Sequence, residues 1–250
     1  MSSPDLILYG VPFSQPVRAV IWLLLLNEQP FDLVPINPGS KGENGSRHPD
    51  YLAKNPAGTI PCLEERSSGF TLGEAHAILA YLCDRFGWSD WYPQDLQARA
   101  RVNEVLNFHH RNLRDASGLV APRIRKDLVF PEAVQQAARR TFEKALRTLE
   151  NGYLQRSAFL AGERPTIADL GAYVEIGQLQ SRFTNLYAFD ELPRVGQWLE
   201  QMQQLPDHDT VHMALEELGD ISGEAPSMDV IRNANKKSIV GLAQRVAQFG

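Results

Sequence analysis

Four short stretches carry residue types whose spacing could do chemistry. Ser14 lies between an apolar run, Leu6 to Tyr9, and an apolar stretch, Val17 to Leu26, that Ser14-Gln15-Pro16 opens as a helix. A hydroxyl there serves as an N-cap or donates to an anion held by the helix dipole, and one geometry serves both. Ile60-Pro61 begins a further apolar run. Proline there marks a strand edge, and in the cis form it leaves the preceding N–H and C=O to pair with an extended, peptide-like ligand. Gly73-Glu74-Ala75-His76 opens another helix. Glu74 is either a dipole partner or a binder of an ammonium group, with the Ala75 N–H available to a carboxylate. Arg47-His48 lies in a polar loop, where the guanidinium is either a solvated charge or a clamp on a carboxylate.

Other candidates read as structural. His109 and His110 are neighbours in a helical stretch, so they point to different faces, one toward the core and one toward solvent, and no metal site is expected. Thr166, followed three residues later by Asp169, has the form of a capping box with Asp in place of Glu. Cys62 and Cys83 are the only cysteines, belong to no Cys-x-x-Cys pair, and read as reduced core residues.

The elements that must position these residues follow from the pattern of apolar runs and breakers. Strands are expected at Leu6 to Tyr9, Phe31 to Ile36, Ile60 to Leu63 and Phe70 to Leu72. Helices are expected after Ser14, around Asp50 to Lys54, and at Glu74 to Phe86. That order predicts an α/β domain over residues 1–86. Residues 87–95, with Trp88, Trp91 and Tyr92, read as a linker. Residues 96–250 read as an all-α helical bundle, with periodicity over Leu96 to Arg114, Pro131 to Leu154, Thr166 to Phe183, Pro193 to Gln204, His208 to Leu218 and Ile239 to Phe249. The polar stretch Ile221 to Lys237 has no assigned role.

Composition narrows the function classes. The 250 residues are 43% hydrophobic and 22% charged with a net charge of −5, a globular balance that argues against a nucleic-acid surface. The longest apolar run, Ala19 to Leu26, is too short for a membrane span, which needs about 20 residues. The Met1 to Asp5 stretch has no secretory pattern and Gln248-Phe249-Gly250 is no targeting tripeptide, so a cytoplasmic location is expected.

Taken in order, these motifs resemble those of theta-class glutathione transferases. Phe13-Ser14-Gln15-Pro16-Val17-Arg18-Ala19 is similar to the class's serine motif. Asn55 to Pro61 is similar to its turn before a cis-proline, and Glu74-Ala75-His76-Ala77-Ile78 occupies the place of its Glu-Ser motif. Trp91-Tyr92-Pro93 with Asp95 to Val102 is close to its linker and fourth helix, and Thr166 to Asp169 matches its sixth-helix cap. The match spans roughly residues 5 to 205. The resemblance implies a thioredoxin-like N-terminal domain, a helical C-terminal domain, a homodimer, glutathione as co-substrate and a hydrophobic electrophile held between the domains. It implies that Ser14 donates to the glutathione sulfur with Gln15 beside it. Arg47 would meet the glycyl carboxylate, Ile60 the cysteinyl moiety, and Glu74 and Ala75 the γ-glutamyl end, with Thr59 among the glutathione-binding residues. The electrophile pocket is expected to draw on Val11, Phe13, His110, Leu113, Arg114 and the helix near Ile239 to Phe249, and Asn103 to reach the neighbouring subunit's glutathione.

The implied chemistry is adequate in magnitude. A free thiol titrates near about 8.5 and is only about 3% ionised at neutral pH. Lowering that pKa by about 2 units takes about 2.7 kcal/mol. One charge-assisted hydrogen bond supplies about 1.5–3 kcal/mol and a helix N-terminus about 0.3–1 kcal/mol more. The sequence departs from the class at Ala75, where Ser is usual, at Ser46, near an expected His, and at Thr59, where Lys is common. Ala75 implies glutathione binding weaker by about 1 kcal/mol. Two rival readings remain at this level: a glutathione-dependent peroxidase or disulfide reductase, and a non-catalytic transferase-like binding module.

Overall fold

The computed structural model describes residues 3–125 and 128–249. Met1, Ser2, Lys126, Asp127 and Gly250 lie outside the described residues, so the outer ends of the two expected domains and the last residue of the C-terminal tripeptide are among them.

The N-terminal part runs β1 (Leu6–Tyr9), α1 (Gln15–Leu26), β2 (Phe31–Val34), α2 (Pro49–Leu52), β3 (Cys62–Glu65), β4 (Thr71–Gly73) and α3 (Ala75–Phe86). The sheet order is β2-β1-β3-β4. β1 and β2 are parallel, with Leu6 opposite Phe31, and β1 and β3 are antiparallel, with Leu8 opposite Leu63. A parallel neighbour demands a crossover, and α1 supplies it. Every residue of α1 from Val17 to Leu25 is buried, as expected for a stretch apolar almost all round. The strand ends differ from the sequence expectation by a residue or two, each for a local reason. Pro35 and Pro61 lack the N–H a ladder needs, so β2 stops at Val34 and β3 starts at Cys62. Phe70 is exposed and lies outside β4.

After α3, which ends on Gly87 in the left-handed region (φ 71°), the chain is helical. The elements are α4 (Leu96–Arg111), a 3₁₀ turn (Leu113–Ala116), α5 (Ser117–Ile124), α6 (Glu132–Thr148), a π turn (Leu149–Tyr153), α7 (Leu154–Arg156), α8 (Ile167–Ile176), a second 3₁₀ turn (Gly177–Leu179) where the helix expected to reach Phe183 tightens and ends, α9 (Pro193–Gln203), α10 (His208–Leu218) and α11 (Met228–Val246). The expected helix over Leu96 to Arg114 breaks at Asn112, whose amide donates to the Phe108 carbonyl at 2.8 Å. α5 has no counterpart in the sequence reading, and Pro122 inside it explains why. α11 begins at Met228 rather than Ile239, capped by Ser227, whose hydroxyl accepts from the Val230 N–H. Its first half therefore comes from the polar stretch that carried no assignment.

One large core joins both parts. Residues of β1, α1 and α3 pack in a single apolar cluster with residues of α4, α6, α8 and α9. α8 is buried along its entire length, which lets it stand between the bundle and α1. Its N-terminus has the expected capping box: Thr166 accepts from Ala168, and Asp169 accepts from the Thr166 N–H at 2.9 Å. Asp169 also accepts from the Leu160 N–H and the Trp198 indole, so a buried carboxylate is fully bonded. Both cysteines are buried free thiols, as expected, and burial pushes Cys62 up to about 11 and Cys83 up to about 12.

Candidate active site

Ser14 occupies the N-cap position of α1 in extended backbone (φ −77°, ψ 125°), but its hydroxyl makes no capping hydrogen bond. Its N–H donates to the Val11 carbonyl and its own carbonyl accepts from the Arg18 N–H, both at 3.0 Å. The half-buried hydroxyl is thus spared from the capping role that Ser usually plays, at the positive end of a twelve-residue buried helix.

The turn before β3 is built by Asn55. Its amide donates to the Thr59 carbonyl at 2.8 Å and its oxygen accepts from the Ala57 N–H at 3.2 Å. Gly58 follows at φ 61°, and a side chain there would stand 2.8 Å from the Ser46 carbonyl and 2.9 Å from Arg47 Nη1. The turn and the polar loop are therefore pressed together. Ser46, buried, accepts from the Gly39 N–H at 2.9 Å and organises that loop, while Arg47 stays exposed. The Ile60–Pro61 bond is cis. At the start of α3, Glu74 is the N-cap residue rather than the first helical one, and its φ of 65° is unusual for a residue with a side chain. Holding such a conformation costs on the order of 1–3 kcal/mol, which the rest of the fold must offset.

A cavity of about 190 Å³ opens where these pieces meet the bundle. The N-terminal part contributes Thr59, Ile60, Glu74 and Ala75, together with Pro16, Ala19, Pro61 and His76. α4 and the turn after it contribute His109, His110 and Arg114, and α8 contributes Gly171, Val174 and Glu175. Of the residues expected from sequence, Thr59, Ile60, Glu74, Ala75, His110 and Arg114 are brought together here. Ser14, Gln15 and Arg47 lie outside this lining.

The expected electrophile pocket needs correction. Leu113 is fully buried in the main core and is not part of this cavity's lining. Phe13 packs instead with Phe183, Ala214, Leu215, Leu218 and Ile221, and Val11 does not line the cavity. The part of α11 that reaches this region is not Ile239 to Phe249. Asn235 comes to Phe13, whereas Leu242, Val246 and Phe249 pack on the main core. Asn103 accepts from the Tyr92 hydroxyl of its own chain at 2.9 Å.

Several lining residues were missed. Glu175, 1% exposed, is ion-paired with Arg114, and burial pushes its carboxyl up against the pull of Arg114 and Arg18. Burial brings Arg18 down to about 10, so it stays charged at neutral pH. Glu175, the one charge of the apolar helix Ile167–Ile176 that its N-terminal capping box does not use, was the available signal, as was Gly171 within it: a Cβ at Gly171 would stand 3.0 Å from His76 Nε2. His109 is buried and His110 exposed, as expected of neighbours, yet His76 from α3 brings one nitrogen of each ring within 4.8 Å of the others.

Two family models match the chain: one described as glutathione S-transferase, N-terminal domain, over residues 8–90, and one described as glutathione S-transferase, C-terminal domain, over residues 132–201. Glutathione S-transferase T2 of Arabidopsis thaliana is 36% identical over 221 residues, covering 83% of this chain, and the chain spans 36% of that relative's length. Glutathione S-transferase theta-2 of Rattus norvegicus is 33% identical over 237 residues, covering 93% of this chain and 91% of the relative. Among solved structures, human glutathione transferase theta-2, in complex with glutathione and an unknown ligand, superposes with a TM-score of 0.75 at 26% identity, covering 98% of this chain and all of the other. Apo human glutathione-S-transferase T1-1 superposes with a TM-score of 0.71 at 28% identity, covering 95% and 99%.

Proposed function

Because this chain belongs to the glutathione S-transferase family, in its theta class, we propose that it binds glutathione and transfers the thiolate to an electrophile, with Ser14 as the activating hydroxyl. The observation that carries this reading is the Ser14 hydroxyl itself, placed at the N-terminus of α1 and left without a capping partner. A thiolate accepting from that hydroxyl gains a hydrogen bond and the helix dipole together, which is the arrangement that lowers a thiol pKa. The thiolate then attacks the electrophilic carbon, forming a thioether and releasing the leaving group or saturating the bond.

Ile60, Glu74 and Ala75 supply backbone and carboxylate partners for a γ-glutamyl peptide, Thr59 is a further contact, and Arg47 stands toward the glycyl end. Gln15 follows Ser14 on the first turn. His110 and Arg114 border the electrophile's side, which makes that side more polar than the sequence alone implied. The enzyme works as a homodimer in a reducing cytoplasm. Thiol-disulfide exchange by the protein's own cysteines is disfavoured, because burial holds both thiols protonated.

The test is calorimetric titration of glutathione into wild type and Ser14→Ala, with the bound thiol's ionisation followed by thiolate absorbance. Wild type is expected to lower the pKa of the bound thiol by about 2 units and Ser14→Ala to restore most of it. Equal thiol pKa values in the two proteins would refute Ser14 as activator. Absence of glutathione binding to wild type would refute the transferase reading.

A further inference from the structure

His76, His109 and His110 have no part in the proposed thiol chemistry, yet they meet at the floor of the cavity. The His76 ring centroid lies 4.6 Å from that of His109 and 4.7 Å from that of His110. His109 is 6% exposed, and neither of its ring nitrogens has a hydrogen-bond partner. His76 Nδ1 and Glu175 Oε2 are likewise buried and unpartnered. Buried polar atoms are rarely left so, and one nitrogen of each of the three rings lies within 4.8 Å of the other two. Glu175 Oε1 is 4.0 Å from His109 Nε2.

The geometry points to a binding site for a late first-row divalent cation, Zn²⁺ or a similar imidazole-preferring ion, held by His76, His109 and His110, one nitrogen of each ring lying within 4.8 Å of the others, with water completing the coordination. Three imidazoles with one position left to water are a donor set that such ions take. Zinc–nitrogen bonds of about 2.0–2.1 Å in a tetrahedron set ligand nitrogens about 3.3 Å apart, so those standing up to 4.8 Å apart must close by up to about 1.5 Å. His110, on the exposed side of α4, has the freedom to close that gap, and the buried pair provides the fixed half of the site. Arg114 opposes a cation, but its charge is already paired with Glu175. The inference does not rest on glutathione binding.

The experiment uses the full chain, stripped with a chelator and titrated with Zn²⁺ by calorimetry in the absence of glutathione. Co²⁺ serves as a spectroscopic stand-in. Wild type is expected to bind one Zn²⁺ per chain at micromolar affinity or tighter and to give intense tetrahedral Co²⁺ bands. His110→Ala, a change at an exposed position, is expected to weaken Zn²⁺ roughly tenfold or more and abolish those bands. His48→Ala, a control in the surface loop, is expected to leave both unchanged. No stoichiometric uptake by wild type, equal affinity in His110→Ala, or an equal loss in His48→Ala would each overturn the site. A protein that binds Zn²⁺ but not glutathione separates this inference from the transferase reading.

Discussion

The side-chain oxygen of Asn235 accepts a hydrogen bond from the backbone N–H of Phe13 at 3.0 Å, one residue before Ser14. The two residues are 222 positions apart, so the last helix reaches back to fix the loop that presents the candidate nucleophile-activating hydroxyl. The Phe13 ring meanwhile sits among α10 residues and Phe183. Asn235→Ala leaves the Phe13 N–H unpartnered, at a cost of about 1–3 kcal/mol. The expected outcome is a fall in kcat and a rise in the bound thiol's pKa, with the KM for glutathione changed less. Asn235→Asp keeps the acceptor and should restore most of the loss. Thiolate absorbance in the two variants checks the point, and a rise in KM alone would count against it.

Arg18 ties the same loop to the bundle. Its guanidinium donates to the Phe13 carbonyl at 2.8 Å, the Val174 carbonyl at 3.1 Å and Gln178 Oε1 at 3.3 Å, with no exposed surface. Removing it strands two buried carbonyls and takes a compensating charge away from Glu175. Arg18→Met should lower stability by about 3–5 kcal/mol, read as a shift in the urea midpoint. Arg18→Lys should recover little, because a single ammonium cannot span acceptors on the Phe13 loop and on α8 as a planar fork does. Full recovery by Lys would mean that charge alone matters there.

Local signals in the sequence were read well and long-range ones poorly. Thr166 and Asp169 are three residues apart and announce their own geometry. Ser14, Pro61 and Glu74 likewise sit at element boundaries that a few neighbouring residues define. Leu113 was placed in a pocket because it lies near His110 in sequence, but the break at Asn112 turns it into the core. The start of α11 was missed because Asn233, Lys236 and Lys237 weaken an apolar stripe that needs only Ala234, Ser238 and Leu242 to bury it. Glu175 and Arg114 meet across 61 positions, and neither carries a local mark of the other. The glycine within that apolar helix was visible, but only the fold shows that Gly171 makes room for His76.

His212 makes stability depend on pH. It is fully buried, stacked on Phe183 and edge-on to Trp22, with Nδ1 2.7 Å from the His208 carbonyl. A carbonyl only accepts, so Nδ1 carries the proton and the bare Nε2 has no partner. Burial, with His208 and Arg18 nearby, holds its pKa well below the usual 6.5. The unfolded chain therefore binds this proton first as pH falls, and the stabilising contribution present above pH 6.5 is lost progressively below it. His212 should steepen the acid loss by up to about 1.4 kcal/mol per pH unit. His212→Leu, which cannot titrate, should flatten the fall in thermal midpoint below that pH. Parallel curves for the two proteins would assign the acid sensitivity elsewhere.

Ala75 offers the most direct test of how the γ-glutamyl end is held. It is the first residue of α3, 8% exposed, and lines the cavity beside Glu74. Its N–H is one of the donors that a helix start leaves unpaired, so a carboxylate docked there already gains a backbone hydrogen bond. What the alanine lacks is a hydroxyl as second donor. Ala75→Ser adds one at a position that tolerates serine, since the first turn of a helix suits a short polar side chain. A hydrogen bond to a carboxylate, net of the water it displaces, contributes about 1 kcal/mol, or about fivefold in Kd. Calorimetric titration should therefore show Ala75→Ser binding glutathione about fivefold tighter. The thiol pKa should not move, because Ser14 and α1 are untouched. Unchanged affinity would mean that the glutamyl carboxylate does not lie at this helix start. A shifted thiol pKa would mean that Ala75 faces the sulfur rather than the far end of the tripeptide.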